Sequence, residues 1–139
     1  MQWYIAAALS AIFAALTSIL AKIGIKDVNS NLATAIRTSF VLMITWGIAF
    51  WQGGVSGISS ISKNSWVFLI LSAVATGLSW VFYFYALKVG EASKVAPIDK
   101  MSLVLTILFA ALILGEKITW AKAVGALLMT GGVLIIALF

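Results

Sequence analysis

Residues 3–21 read WYIAAALSAIFAALTSILA, an unbroken run without a charged side chain. A helix rises 1.5 Å per residue, so about 20 such residues cross the roughly 30 Å of hydrocarbon in a bilayer. Four more uncharged cores follow at 38–51, 65–87, 101–115 and 123–139. They leave no length for a soluble domain in a chain of 139 residues. The chain therefore reads as an all-α integral membrane protein, a five-helix transmembrane bundle forming one domain over 1–139. Its function is expected in or across the bilayer.

Composition agrees. Hydrophobic residues make up 63% and charged residues 9%, against about 25% charged in a soluble domain. Mean hydropathy is +1.15. The chain has no Cys and no His, so thiol nucleophiles, disulfides and the commonest metal ligand and general base are missing. Four carboxylates, dispersed in sequence, do not form a metal cluster. No catalytic residue, metal site or cofactor is expected, and an enzyme is the least favoured class. The net charge of +5 does not signal nucleic acid, because the basic residues flank helix ends where lipid headgroups place them. Only Met1 and Gln2 precede the first apolar run. A signal peptide would begin with a basic segment, so this run reads as a retained first helix.

The expected helices are 3–22, 31–51, 65–87, 95–114 and 119–139. The polar connection Lys26-Asp27-Val28-Asn29-Ser30-Asn31 offers Ser30 or Asn31 as an N-cap. Residues 52–65, rich in Gly and Ser, read as a flexible loop. With five helices the termini lie on opposite sides. The N-terminal side carries Lys63, Lys117 and Lys122, and the other carries Lys22, Lys26, Arg37, Lys88, Lys94 and Lys100. That bias puts the N-terminus outside and the C-terminus in the cytoplasm, in a cell (inner or plasma) membrane. Trp3, Trp51, Trp66 and Trp120 fall at helix ends on one side, as an interfacial aromatic belt does. Trp46 and Trp80 lie deeper.

Arg37 sits about 9 Å inside helix 2, and Asp99 and Lys100 lie about a turn inside helix 4. Charges at such depth cost roughly 2.5–3.5 kcal/mol at the bilayer centre, less towards its surface, and usually face a cavity or a partner. Neighbours in a helix point about 100° apart, so Asp99 is expected to pair with Arg37 or Lys22 rather than Lys100. Lys22, Arg37, Asp99 and Lys100 would then form a gate or an anion-attracting vestibule. The alternative for the basic residues is snorkelling to the headgroups. Asp99 is too short for that. Pro97 reads either as a first-turn proline, where it costs no hydrogen bond, or as a bend that lets helix 4 move.

Helix 3 carries a polar-aromatic stripe. Ser72, Thr76, Trp80 (or Ser79) and Tyr83 recur at three- and four-residue spacing and share one face. They would line a substrate cavity, with Trp46 as a further candidate, or act as interhelical glue. Small residues four apart, Ala73 with Gly77 and Ala121 with Gly125, and then Gly131 and Gly132, permit close helix contacts within the chain or at a dimer seam. Glu91 and Glu116 read as solvated loop charges.

The stretches Ala96-Pro97-Ile98-Asp99-Lys100-Met101-Ser102, Leu114-Gly115-Glu116-Lys117-Ile118-Thr119-Trp120 and Gly131-Gly132-Val133-Leu134-Ile135-Ile136 resemble EamA-type transporters of the drug/metabolite transporter superfamily. The turn LGEKIT and the later GGVLII are the most specific parts. The opening WYIAAALSAIFAALTSILAK is also similar to the first helix of small multidrug resistance proteins. The resemblance covers the whole chain as one unit. It implies one half of a ten-helix inverted-repeat transporter, with the cavity between inverted halves. A single unit then implies a homodimer, parallel or antiparallel, or an inverted partner chain. Small multidrug resistance proteins dimerise through their last helix, which favours the seam on Ala121, Gly125, Gly131 and Gly132. Their membrane-embedded Glu in helix 1 matches a position here that is apolar, near Ala14, so that proton-coupling chemistry is absent. The expected function is transport, as an exporter, of a small polar metabolite such as an amino acid. The dimer would work by alternating access. The rivals are a lipid-linked-sugar flippase subunit and a non-transporting assembly subunit.

Overall fold

The computed structural model describes residues 2–139. The described residues form helices α1 (Trp3–Gly24), α2 (Ser30–Trp51), α3 (Lys63–Val89), α4 (Ala92–Asp99), α5 (Met101–Ile113) and α6 (Trp120–Leu138), with a 3-10 segment at Gly54–Ser60. Helices α4 and α5 together make one apolar span, Ala92–Ile113, so five segments are long and apolar enough to cross a membrane. The expected all-α, five-span architecture is the observed one.

The ends of the helices explain the boundaries. Asn29 holds an extended backbone (φ −60°, ψ 133°), and its Oδ1 accepts from the N–H groups of Asn31 at 2.9 Å and Leu32 at 3.3 Å. This corrects the expected cap at Ser30 or Asn31. The cap must sit just outside the helical dihedrals, and Ser30 is already the first helical residue. Asn29→Ala should lower unfolding stability by about 1 kcal/mol in detergent micelles, measured by thermal melts followed by circular dichroism. The expected loop at 52–65 is more ordered than its composition suggests. Gly53 takes a left-handed conformation (φ 70°) and the 3-10 segment follows it. The hydroxyl of Ser62 then accepts from Ser65 N–H at 3.1 Å and starts α3, two residues before the expected boundary. Gly115 (φ 68°) ends α5 and lets Glu116 N–H reach Ala110 O at 3.1 Å. The hydroxyl of Thr119 caps α6 by accepting from Lys122 N–H at 3.3 Å.

The chain divides into two units, 19–89 and a second made of residues up to 18 with 90–139. In the first, α2 packs along α3. Ile25, Phe84 and Leu87 are buried there, with Ser30 and Thr34 as the buried polar residues. The Thr34 hydroxyl donates to Ser30 O at 2.8 Å, so its burial leaves no donor unmet. In the second unit α6 packs against both α4 and α5. Large apolar side chains remain uncovered along these helices, including Leu112, Leu127 and Leu128. Water would not tolerate such continuous faces, but lipid tails are as apolar as leucine. Trp3, Trp51 and Trp120, each the first or last residue of its helix, are more than 80% exposed, as interfacial anchors should be.

Pro97 is not in a first turn. The helix begins at Ala92, three residues before the expected start, so Pro97 falls in its second turn. There it removes an intrahelical donor and crowds the preceding turn. The span breaks at Lys100, whose N–H is shared between Ala96 O at 3.2 Å and Pro97 O at 3.0 Å. Helix α5 restarts at Met101. Pro97 thus stands inside α4, three residues before the interruption.

Candidate functional site

The unit at 19–89 holds the most distinctive chemistry. Arg37 lies seven residues into α2, or roughly 10 Å along its axis, and its guanidinium sits over aromatic rings from α3. Its Cζ is 4.6 Å from the ring centroid of Trp80 and 5.4 Å from that of Phe84. Trp80 and Phe84 are four residues apart and so share a face. Helix α2 begins, and α3 ends, beside the connections at 25–29 and 89–91, so antiparallel neighbours bring Arg37 to the level of these rings. Such contacts are worth about 2 kcal/mol when desolvated.

A guanidinium carries its N–H donors in its own plane and has no acceptor. Arg37 Nη1 is buried and has no hydrogen-bond partner among the described residues. Two threonine hydroxyls of the same unit are engaged with their own helices. Thr38 donates to Thr34 O at 2.7 Å and Thr76 to Ser72 O at 2.9 Å. The ion pairs formed by described residues are Lys100 with Asp99 and Lys122 with Glu116, each at 3.2 Å. Asp27 and Glu91 are exposed.

Within the expected charge network, the pairing of Asp99 is settled within its own unit. Lys22 and Arg37 belong to the unit at 19–89, while Pro97, Asp99 and Lys100 belong to the other. The expectation that Asp99 pairs with Arg37 or Lys22 is corrected: its Oδ2 accepts from the ammonium of Lys100. Neighbouring Cβ atoms do diverge, but the long lysine stem swings its charge back. The pair is partly exposed, and such pairs contribute at most about 1 kcal/mol in water. Lys22 donates to Leu87 O at 2.6 Å. Lys88 donates to Val28 O at 2.7 Å. These two lysines clasp the end of α3 to the end of α1 and the turn after it, with Lys22 placing a cation at a C-terminal carbonyl of α3.

The stripe on α3 divides. Trp80 and Tyr83 are half-buried, and Trp80 forms the Arg37 cradle. Ser72 and Thr76 are exposed, and the Thr76 hydroxyl bonds within its own helix rather than across to another. Trp46 is 44% exposed and packs its ring against Phe50 at 5.8 Å. On α6, a Cβ added at Gly125, Gly131 or Gly132 would meet nothing within 4 Å, and Gly77 on α3 behaves alike. Ala121 is exposed. No neighbour within the chain requires glycine at these places. Glu116, exposed in the α5–α6 turn, is tied to Lys122, whose ammonium also donates to Lys117 O at 3.4 Å.

In the second unit a groove of about 480 Å³ runs between α1 and the broken span. Its lining includes Ala7, Ala11, Ala14 and Ser18 from α1, with Pro97 and Lys100 opposite. The small side chains of α1 at this spacing leave the space.

Phe84, Lys88 and the carbonyl of Leu87 did not stand out in the sequence. Phe84 is four residues after Trp80, which is the spacing that identified the stripe. In a helix apolar on every side, however, one more phenylalanine carries no contrast. Lys88 read as an ordinary helix-end cation.

Residues 1–138 match the EamA-like transporter family. The chain belongs to that family. It is similar to a Sinorhizobium sp. protein named "Uncharacterized transporter in cobO 3'region", with 44% identity over 138 residues, 99% of this chain and 98% of the relative. No solved structure matches it. This EamA-like protein is thus a multi-pass membrane transporter, and the transmembrane helices that carry Arg37, Trp80 and Phe84 are parts of its transport domain.

Proposed function

We propose that this EamA-like transporter exports a small polar metabolite, such as an amino acid, by alternating access, as a dimer of five-helix units. The observation that carries the reading is the Arg37 guanidinium held on Trp80 and Phe84 within the membrane-spanning part. Charges there are costly and are retained where a polar solute must be met. Tyr83 and Trp46, with Ser72 and Thr76, extend the aromatic and hydroxyl lining on this reading. The break after Pro97 supplies a hinge, flanked by the Asp99–Lys100 pair as a gate element, with Lys22 holding the end of α3. The 1–139 domain acts as one half, and a relative of matching length also named a transporter supports this. The membrane is a cell (inner or plasma) membrane, with the N-terminus outside and the C-terminus in the cytoplasm, from the lysine bias.

The test is counterflow in liposomes holding the purified protein. Vesicles loaded with unlabelled L-alanine, L-threonine or L-lysine should transiently concentrate the matching labelled amino acid. No counterflow across a broad amino-acid panel would sink the reading. The groove beside Ala11 and Ala14 favours a second reading, a lipid-linked-sugar flippase subunit, because an acyl chain fits among small apolar side chains. Scrambling of a fluorescent lipid, without solute counterflow, would select it.

The dimer seam is assigned to Ala121, Gly125, Gly131 and Gly132, where open space stands beside α6 and a second backbone could approach. Gly132→Leu should shift crosslinked protein from dimer to monomer while the helical circular dichroism stays unchanged. An unchanged dimer fraction would place the seam elsewhere.

A further inference from the structure

We propose that Arg37 is an oxyanion receptor, so that the ligand met inside the 19–89 unit carries a carboxylate or a phosphate. This deepens the transport reading above and rests on it for the identification of that ligand as cargo.

The argument starts from what the guanidinium has and lacks. Its Cζ lies 4.6 Å from the Trp80 ring centroid and 5.4 Å from that of Phe84. The acceptors a guanidinium fork matches with two parallel hydrogen bonds are carboxylates and phosphates. Nη1 is out of contact with solvent and makes no hydrogen bond among the described residues. A buried charged donor without an acceptor is costly, and native structures rarely keep one without a reason. No protein carboxylate among the described residues accepts from Nη1: Asp99 pairs with Lys100 and Glu116 with Lys122, while Asp27 and Glu91 are exposed in connections between helices. Nor do the threonine hydroxyls of α2 take the contact, since Thr34 and Thr38 are turned to their own helix. An acceptor brought from outside the chain completes the site. The two ring contacts hold the guanidinium in place before the ligand arrives, which lowers the ordering cost of binding.

Two sources offer this chemistry, a carboxylate-bearing solute and an anionic lipid headgroup. Arg37 is the only arginine in the chain, so isotopic labelling of arginine gives a single guanidinium signal. The protein with ¹³C,¹⁵N-arginine is placed in dodecyl maltoside micelles, which contain neither phosphate nor carboxylate. Acetate, benzoate and N-acetylalanine are titrated against their matched amides, and phosphatidylglycerol is added in a separate series. A saturable shift of the guanidinium resonance by the carboxylates and not the amides supports the proposal and identifies a solute. A shift by phosphatidylglycerol alone supports an oxyanion site and identifies a lipid. No saturable shift in either series overturns it. Equilibrium dialysis with labelled benzoate gives a second measure, in which Arg37→Lys should bind roughly tenfold more weakly because a lysine keeps the charge but not the fork. Equal affinity in that variant also overturns the proposal. Counterflow separates the two readings. Transport without a guanidinium response removes the oxyanion receptor and leaves the transporter of polar metabolites. A response without counterflow or flipping keeps the receptor and removes the cargo role.

Discussion

Trp80→Ala is expected to lower counterflow roughly thirtyfold. The ring carries the closer of the two contacts with the Arg37 guanidinium, and a desolvated cation–π contact of about 2 kcal/mol corresponds to that factor at 1.4 kcal/mol per tenfold. Removal of the indole also frees the guanidinium to rotate, so its N–H edge no longer presents one plane. Trp80→Phe keeps a ring face with a weaker quadrupole and should retain most of the activity. Phe84→Ala should cost less in transport, because its ring lies farther from Cζ, but more in stability, because Phe84 is 3% exposed. Counterflow rates at matched protein per vesicle, beside thermal melts of the same preparations, separate the two effects. Equal transport in Trp80→Ala and the parent protein would show that the cradle is packing alone.

The second large effect concerns the clasp. Lys22→Met should destabilise the 19–89 unit by about 2 kcal/mol, and Lys88→Met by less. Hydrogen bonds from charged donors contribute about 1.5–3 kcal/mol when part-buried, and Lys22 is half-buried where Lys88 is exposed. Methionine retains the length and apolar stem, so the change isolates the ammonium. The two substitutions act on the same pair of helix ends, and their effects in the double variant should therefore depart from additivity. Hydrogen exchange supplies the local readout. Amides around 88–91 should exchange faster in Lys22→Met, while those of α6 stay as they were. Uniform acceleration along the chain, or none, would contradict a clasp confined to these ends.

Much of the architecture was legible before any coordinates. Five uncharged runs near 20 residues can satisfy their backbone groups in lipid only as helices, and the number and order of spans follow from that. The small corrections fall where side chains compete for backbone groups. Asn29 rather than Ser30 caps α2 because the cap needs an extended backbone, a tertiary outcome of the turn that precedes it. Pro97 reads from sequence either as a first-turn proline or as a bend, and the start of α4 at Ala92 places it in the second turn. The Asp99–Lys100 pairing does not follow from Cβ directions, which set only where a side chain begins, whereas a four-carbon stem decides where its charge ends.

The site shows the same division. That Arg37 and Trp80 were unusual followed from residue type and depth, since a membrane interior makes every charge and every off-centre indole conspicuous. That they meet was not contained in the sequence. The period of a helix fixes which residues share a face, but not how that face is turned toward its neighbour in an environment where apolar residues surround every side. The rotation of α2 against α3 brings Arg37 over Trp80 and Phe84 and leaves Nη1 without an acceptor. The sequence by itself determined the solvent, the spans and the family. Only the packing of α2 on α3 decided which side chains form the site, because in lipid the choice of facing surfaces rests on side-chain fit and polar contacts rather than on hydrophobicity.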